Sequence, residues 1–330
     1  MAWLNKYRTL FVLILIVGIA SFLNEAFLTP DNLLIVARQV SVTAIVAAGM
    51  TLVILVAGID LSVGSVLALC GVVVAGVLGS TGNVVAAIAA SLGVGALFGL
   101  VNGFLTTKGG MPSFIVTLAT MAIARAITLV FTNGNPEVIR DASFREIGGG
   151  YIAGIPIPVI VMFVIFAVLY LMLKHTRFGR YIYSVGGNET ASRLTGINTD
   201  RIIMAAFVLS GLFAALASLI YTARLSSAQP TAGTGLELDA IAAVILGGTS
   251  LAGGQGGVVG TLIGAFIMGI LDNILNLMDV NPYYQGVVKG IVIILAVYAD
   301  NKFTSLLRAR RKHPPVAQEK AAGGETVKGA

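Results

Sequence analysis

Apolar positions in this chain run in long blocks. They neither alternate as in a half-buried strand nor stripe one face as on a surface helix. Blocks fall at 9–28, 38–58, 62–80, 84–106, 113–132, 157–173, 202–222, 238–252, 257–278 and 284–300. An α-helix needs about 20 mostly apolar residues to cross the hydrocarbon of a bilayer. The pattern therefore predicts an all-α, polytopic membrane protein with about ten transmembrane helices. The block at 238–252 is short, and the stretch after it can re-enter the membrane instead of crossing. The first block is longer than a signal-peptide core and shows no small-x-small cleavage site before Pro30, so it reads as a retained span.

The polar connectors orient the bundle. Lys6 and Arg8 precede the first block, which puts the N-terminus inside by the excess of basic residues in cytoplasmic loops. Alternation then places the 107–111 loop, with Lys108, inside. It places the 133–156 loop outside, with Glu137, Arg140, Asp141, Arg145 and Glu146. The 174–201 loop falls inside, with Lys174, Arg177, Arg180, Arg193 and Arg201 against Glu189 and Asp200. The C-terminus, with Arg308, Arg310, Arg311 and Lys312, is also inside. Residues 1–302 form the membrane domain in this reading, and 303–330 a basic tail without an apolar period, expected to be disordered.

Composition agrees. Hydrophobic residues make up 57% and charged ones 11%, with a mean hydropathy of +0.93. Soluble domains carry about 25% charged residues, so an ordinary cytosolic globule is excluded. Of 21 basic and 15 acidic residues, seven and two lie from Lys302 onward, leaving fourteen and thirteen for the rest. The net charge of +6 is thus a property of the tail, and no nucleic-acid partner is expected. A single cysteine, Cys70, and two distant histidines, His175 and His313, give no metal or disulfide expectation. Forty glycines suit closely packed membrane helices.

Four segments interrupt the apolar pattern. In the 174–201 loop, Asn188 is a good N-cap, Glu189 and Arg193 are spaced i, i+4, and Gly196 suits a left-handed helix end. This predicts a short helix exposing Ala191 and Leu194, either a connecting turn or a docking helix for a cytoplasmic partner. Asp60 and Ser62 break two apolar runs with almost no loop, so Asp60 either caps the next helix or lines a path. The stretch from Arg224 to Asp239 is polar and mostly uncharged. Ser226, Ser227, Gln229 and Thr231 could meet sugar hydroxyls there, or form an ordinary outer loop. The Gly-rich run 247–257 lacks the Lys-Ser/Thr of a phosphate loop and reads as a tight turn. Polar groups within spans are costly in lipid and usually face the bundle interior. Those at Arg38, Asn102, Arg125, Asp272, Asn273 and Lys289 are therefore pathway candidates, although Arg125 and Lys289 can also snorkel outward. A short echo links Gly99–Asn102 with Gly269–Asp272, and Val53–Leu55 with Val244–Leu246. It is too brief to build on.

Three blocks, GMTLVILVAGIDLSVGSVLAL at 49–69, GRYIYSVGGNETASRLTGIN at 179–198 and ARLSSAQPTAGTGLELDAIAAVILGGTSLAGGQG at 223–256, resemble the permease subunit of bacterial sugar-uptake ABC transporters. The resemblance covers about residues 30 to 302. It implies a multi-pass inner-membrane subunit working with a cytoplasmic ABC ATP-binding protein, a periplasmic sugar-binding protein and a second permease copy, identical or related. The cargo it implies is a monosaccharide, ribose first, with galactose, xylose or an autoinducer-type sugar as alternatives. ATP and Mg would be used by the partner, with no cofactor and no catalytic residue in this chain. The segment with Asn188, Glu189, Ala191, Arg193, Leu194 and Gly196 resembles the loop that contacts the ATPase, although Thr190 and the late Gly196 depart from the longer Glu-Ala-Ala…Gly pattern of other importers. Two other classes compete. An ion-coupled secondary transporter would need deep carboxylates, and only Asp272 looks deep in the sequence. An intramembrane enzyme would need a nucleophile, paired acids or metal ligands at depth, for which the sequence offers little.

Overall fold

The structure is a computed structural model and describes residues 2–281, 283–292, 294, 295 and 298, the side chains of 2–8 excepted. The expected basic tail, with all of its charges, lies outside the described residues, as do the side chains of Lys6 and Arg8. The chain is helical almost throughout. Helix α1 spans Ala2–Leu23, and a 3₁₀ turn follows at Glu25–Leu28. Helices α2 (Pro30–Leu55), α3 (Val63–Thr81), α4 (Val84–Thr107) and α5 (Ser113–Thr132) come next. An outer segment holds strand β1 (Glu137–Val138), helix α6 (Ala142–Gly149) and the hairpin β2 (Tyr151–Ile152) and β3 (Ile155–Pro156). Helix α7 (Ile157–His175) leads to α8 (Arg177–Gly187) and the short α9 (Glu189–Leu194). The longest helix, α10 (Thr199–Leu225), is followed by β4 (Ser227–Ala228), α11 (Leu236–Leu246) and α12 (Val258–Leu277). Residues 283–292 are helical.

Helix boundaries follow local chemistry. Thr29 caps α2 and Pro30 occupies its first turn, where a missing N–H costs nothing. Asn83 caps α4 and Asn188 caps α9, each accepting the backbone N–H three residues on. Among the described residues seven helices are long and apolar enough to cross a membrane: α2, α3, α4, α5, α7, α10 and α12. Each falls on a predicted block. Helix α1 ends at Leu23, so the first block, expected to run to residue 28, stops before the 3₁₀ turn. The block at 238–252 contains a helix of 11 residues. At 1.5 Å per residue that is about 16 Å, roughly half a hydrocarbon core.

Helix α10 is the central post. Gly95, Gly99 and Gly103, spaced by four on α4, face it so closely that a Cβ on Gly99 would overlap the Phe207 carbonyl, and one on Gly103 would lie 2.8 Å from Met204 Cα. Small residues at this spacing let backbones touch, which is how packing replaces the hydrophobic effect between helices in lipid. Helix α12 lies against α2 in a similar antiparallel way, with Gly269 at Val40 and Thr261 hydroxyl-bonded to Thr51 at 2.8 Å. The Gly99–Asn102 and Gly269–Asp272 echo thus carries a glycine at a close helix contact in both places, Gly99 at Phe207 and Gly269 at Val40. Val53–Leu55 and Val244–Leu246 are the last residues of α2 and α11.

The connectors predicted inside and outside separate to opposite ends. At one end Lys108 pairs with Asp200 at 2.6 Å, and the Gly254 N–H donates to the Leu55 carbonyl at 2.9 Å. At the other, β1 pairs antiparallel with β4, matching Glu137 to Ala228 and Val138 to Ser227.

Candidate functional site

Side-chain caps and a charged clamp fix the end that carries α8 and α9. Asn188 Oδ1 accepts the Ala191 N–H at 2.9 Å and starts α9, as its cap chemistry predicts. Arg193 Nη2 donates to Glu189 Oε1 at 3.0 Å, to Thr199 Oγ1 at 2.8 Å and to Asp200 Oδ1 at 2.8 Å. The i, i+4 pair is therefore part of a wider clamp that ties α9 to the start of α10. Gly196 takes a φ of +86°, the left-handed turn expected of it. Ser192 faces inward and is bonded to Ser184 at 2.8 Å, whereas Ala191 is exposed and Leu194 is 84% exposed. The short helix thus packs on α8 through one side and offers an apolar tip on the other. Helix α8 in turn rests on the Gly-rich run. A Cβ at Gly186 would overlap the Leu55 carbonyl, and Tyr183 Oη donates to the Gly256 carbonyl at 3.0 Å. Burial pushes the Tyr183 phenol above its ordinary value and keeps it a donor.

The eight pathway candidates divide among five places. Asp60, Ser62 and Asn102 meet. Asp60 Oδ1 accepts from the Ser62 N–H at 3.0 Å and from Ser62 Oγ at 2.6 Å, and its Oδ2 accepts from Ser210 Oγ at 2.8 Å. Asn102 Nδ2 donates to Ser62 Oγ at 2.9 Å and its Oδ1 accepts from Thr120 at 2.7 Å. Asp60 is 1% exposed, so this is a closed polar knot joining α3, α4, α5 and α10. The sequence places Asp60 near a span end. The structure places it in the bundle, because the connector after α2 turns back inward and is satisfied by protein groups at depth. Arg125 reaches from α5 to the Pro230 carbonyl at 2.6 Å and pins the polar loop. Asn273 exchanges two amide hydrogen bonds with Asn32, at 3.0 and 2.8 Å, both side chains being buried. That pair locks α12 to α2. Asp272 and Lys289 face a cavity, and the Arg38 guanidinium lies over the Tyr151 ring, 4.5 Å from its centroid.

The segment with Ser226, Ser227, Gln229 and Thr231 is more than an outer loop. Ser226 ends α10 at a φ of +54°, and its carbonyl accepts the Ile139 N–H at 2.9 Å. Gln229 Nε2 donates to Ser227 Oγ at 2.9 Å, and the Thr231 carbonyl accepts from Thr234 Oγ1 at 2.8 Å. The chain then dips into the bundle. A Cβ on Gly64, in the first turn of α3, would overlap the Gly233 carbonyl and lie 2.6 Å from Glu237 Oε2. Ser210 Oγ of α10 donates to Asp60 at 2.8 Å and Ser218 Oγ to the Leu67 carbonyl at 2.6 Å, on either side of Gly64, which sets this meeting point beside the middle of α10. Helices α3 and α11 therefore start face to face inside the bundle and run to opposite ends.

Beside that meeting point lies a cavity of about 360 Å³, lined by Gln39, Thr43, Arg224, Asp239, Asp272 and Lys289 among others. Lys289 Nζ sits 2.9 Å from Asp239 Oδ2 and 3.0 Å from Asp272 Oδ1. Lys289 faces inward and does not snorkel. The sequence reading missed Gln39, Thr43, Arg224 and Asp239 as lining groups. Gln39, beside Arg38 in an apolar block, is the signal that could have found the site; Asp239 gave none, because it sits in a polar stretch that looks external. Four carboxylates, Asp60, Glu237, Asp239 and Asp272, lie in the bundle where the sequence suggests one, so the lack of deep acids no longer separates the transporter classes. Among the described residues no group of His, Cys, Asp and Glu gathers as a metal site.

The sequence profile described as "branched-chain amino acid transport system / permease component" matches residues 32–297. The chain is 52% identical over 308 residues to the ribose import permease protein of Escherichia coli K12, covering 91% of this chain and 95% of that one. It is 51% identical over 301 residues to the ribose import permease protein of Bacillus subtilis 168, covering 91% and 92%. The D-allose transport system permease protein of Escherichia coli K12 is 42% identical over 298 residues, covering 90% and 91%. No solved structure is significantly similar to the chain.

Proposed function

Because the chain belongs to the branched-chain amino acid transport system / permease component family, we propose that it is the membrane subunit of an ATP-driven importer that carries a monosaccharide, ribose first, across the bacterial inner membrane. The observation that carries this reading is near-full-length identity of about half to ribose import permeases of distant bacteria. Allose and xylose permeases are more distant, at 42% and 36% identity, and the family's amino-acid label is outweighed by these sugar relatives.

The subunit transports and does not itself hydrolyse ATP. Its sequence has no Gly-x4-Gly-Lys-Ser/Thr, so the energy comes from a cytoplasmic ATP-binding partner that uses ATP and Mg. That partner docks on α9, where Asn188, Glu189 and Arg193 fix the helix and Ala191 and Leu194 present it. The apolar tip of Leu194, on a helix braced by Asp200 and Lys108, supports this placement. The docking end is then cytoplasmic, and the β1–β4 end faces a periplasmic sugar-binding protein. A second permease copy, identical or related, completes the assembly. Both termini lie inside, with about ten crossings if α1, α11 and the helix over 283–292 count as spans, and residues 303–330 form a cytoplasmic tail.

The test is import by the whole transporter in proteoliposomes. Ribose should accumulate only with ATP, the ATP-binding protein and the sugar-binding protein present, and a protonophore should not reduce it. Accumulation by the permease alone along an ion gradient would overturn the reading.

A further inference from the structure

The cavity beside the facing starts of α3 and α11 has no assigned role, and its chemistry is specific. Asp239 and Asp272 supply acceptors, while Lys289, Arg224 and the Gln39 amide supply donors, all around one volume of about 360 Å³. That volume is at the small end of ligand pockets, which run about 300–1,000 Å³. Two carboxylates and two cations line the space, so their formal charges cancel and the site carries no net charge for a neutral ligand to balance. A cation site would not place an ammonium between its carboxylates, and an anion site would not place carboxylates beside its donors. A ligand that both donates and accepts at adjacent positions, a polyol with vicinal hydroxyls, fits the whole set. Each hydroxyl can accept from an ammonium or guanidinium and donate to a carboxylate. The three groups of the ion cluster come from different elements, Asp239 in the first turn of α11, Asp272 on α12 and Lys289 on the helix over 283–292. Asp239 is held by the positive end of its helix.

We infer that this cavity is a transient sugar site inside a single chain, with Asp239, Lys289 and Asp272 as its polar clamp. The inference rests on the importer reading and names where that cargo pauses. Sugar hydroxyls exchange with the Lys289 bonds as the ligand enters, so the cluster that knits three elements in the empty state loosens when the site is filled.

The test uses the full chain in nanodiscs with ribose as the probe. Cys70 is buried and is replaced by Ala, and Thr43→Cys puts a near-isosteric thiol on the cavity wall. A small methanethiosulfonate reagent should modify this thiol. Ribose should slow the reaction saturably, by about tenfold at roughly ten times its dissociation constant by mass action. An equal concentration of glycine betaine, which has no hydroxyls, should leave the rate unchanged. Asp272→Asn should abolish the protection, and Gln39→Leu, which leaves the ion cluster intact, should weaken it if Asp272→Asn fails to fold. A thiol that ribose never protects, or one the reagent never reaches, overturns the site. Import by the whole wild-type transporter is measured beside it. Normal ribose import without protection sinks the cavity assignment alone, whereas protection without import sinks the importer reading alone.

Discussion

The contact between α4 and α10 gives a measurable consequence. Gly93 and Gly99 lie on the same helix, yet an added Cβ meets nothing within 4 Å at Gly93 and overlaps the Phe207 carbonyl at Gly99, with Val208 Cα only 2.7 Å away. Replacing either by Ala improves intrinsic helix propensity by about 1 kcal/mol. That gain is common to both and cancels in the difference. At Gly99 the obstruction is helix backbone, which cannot rotate aside, so α4 must back away from α10. Overpacking of this kind costs about 1–3 kcal/mol. The movement also stretches the 2.9 Å bond from Asn102 to Ser62, one turn further along α4. A weakened buried hydrogen bond adds about 1 kcal/mol. Gly99→Ala should therefore be about 2–4 kcal/mol less stable than Gly93→Ala. Reversible SDS unfolding of the two variants in matched micelles measures the gap. Equal midpoints and slopes would refute the argument, because they would mean the two helices are not held at backbone contact.

Two other expectations concern the polar groups. Asp60→Ala leaves Ser62 and Ser210 hydroxyls without their acceptor in a buried site, a loss of about 2–4 kcal/mol, whereas Asp60→Asn keeps one acceptor oxygen and should lose less; the same unfolding assay ranks them. Leu194→Ala removes a side chain that is 84% exposed, so insertion and stability should not change, while sugar-stimulated ATP hydrolysis should fall by roughly fivefold or more, the effect of about 1 kcal/mol at a docking contact. Undiminished stimulation in that variant would remove the apolar tip of α9 from the docking surface.

Much of this protein could be read from its sequence because lipid imposes a one-dimensional rule. A helix in hydrocarbon must satisfy its own backbone, so block length alone locates α2, α4, α5, α7, α10 and α12. Caps are equally local. Asn188 and Gly196 bracket α9 through groups a few residues away, and the expected exposure of Leu194 follows from that register. What the one-dimensional rule hides is depth. Asp60 and the 226–235 stretch look like connectors because they are polar, yet both turn back into the bundle, where partners from α10 and α3 make their polarity affordable. The same holds for the cluster of Asp239, Asp272 and Lys289, drawn from three separate stretches of chain. Whether a polar group in a membrane protein is a surface feature or an interior site depends on which distant residue satisfies it, and only the packed structure supplies that residue.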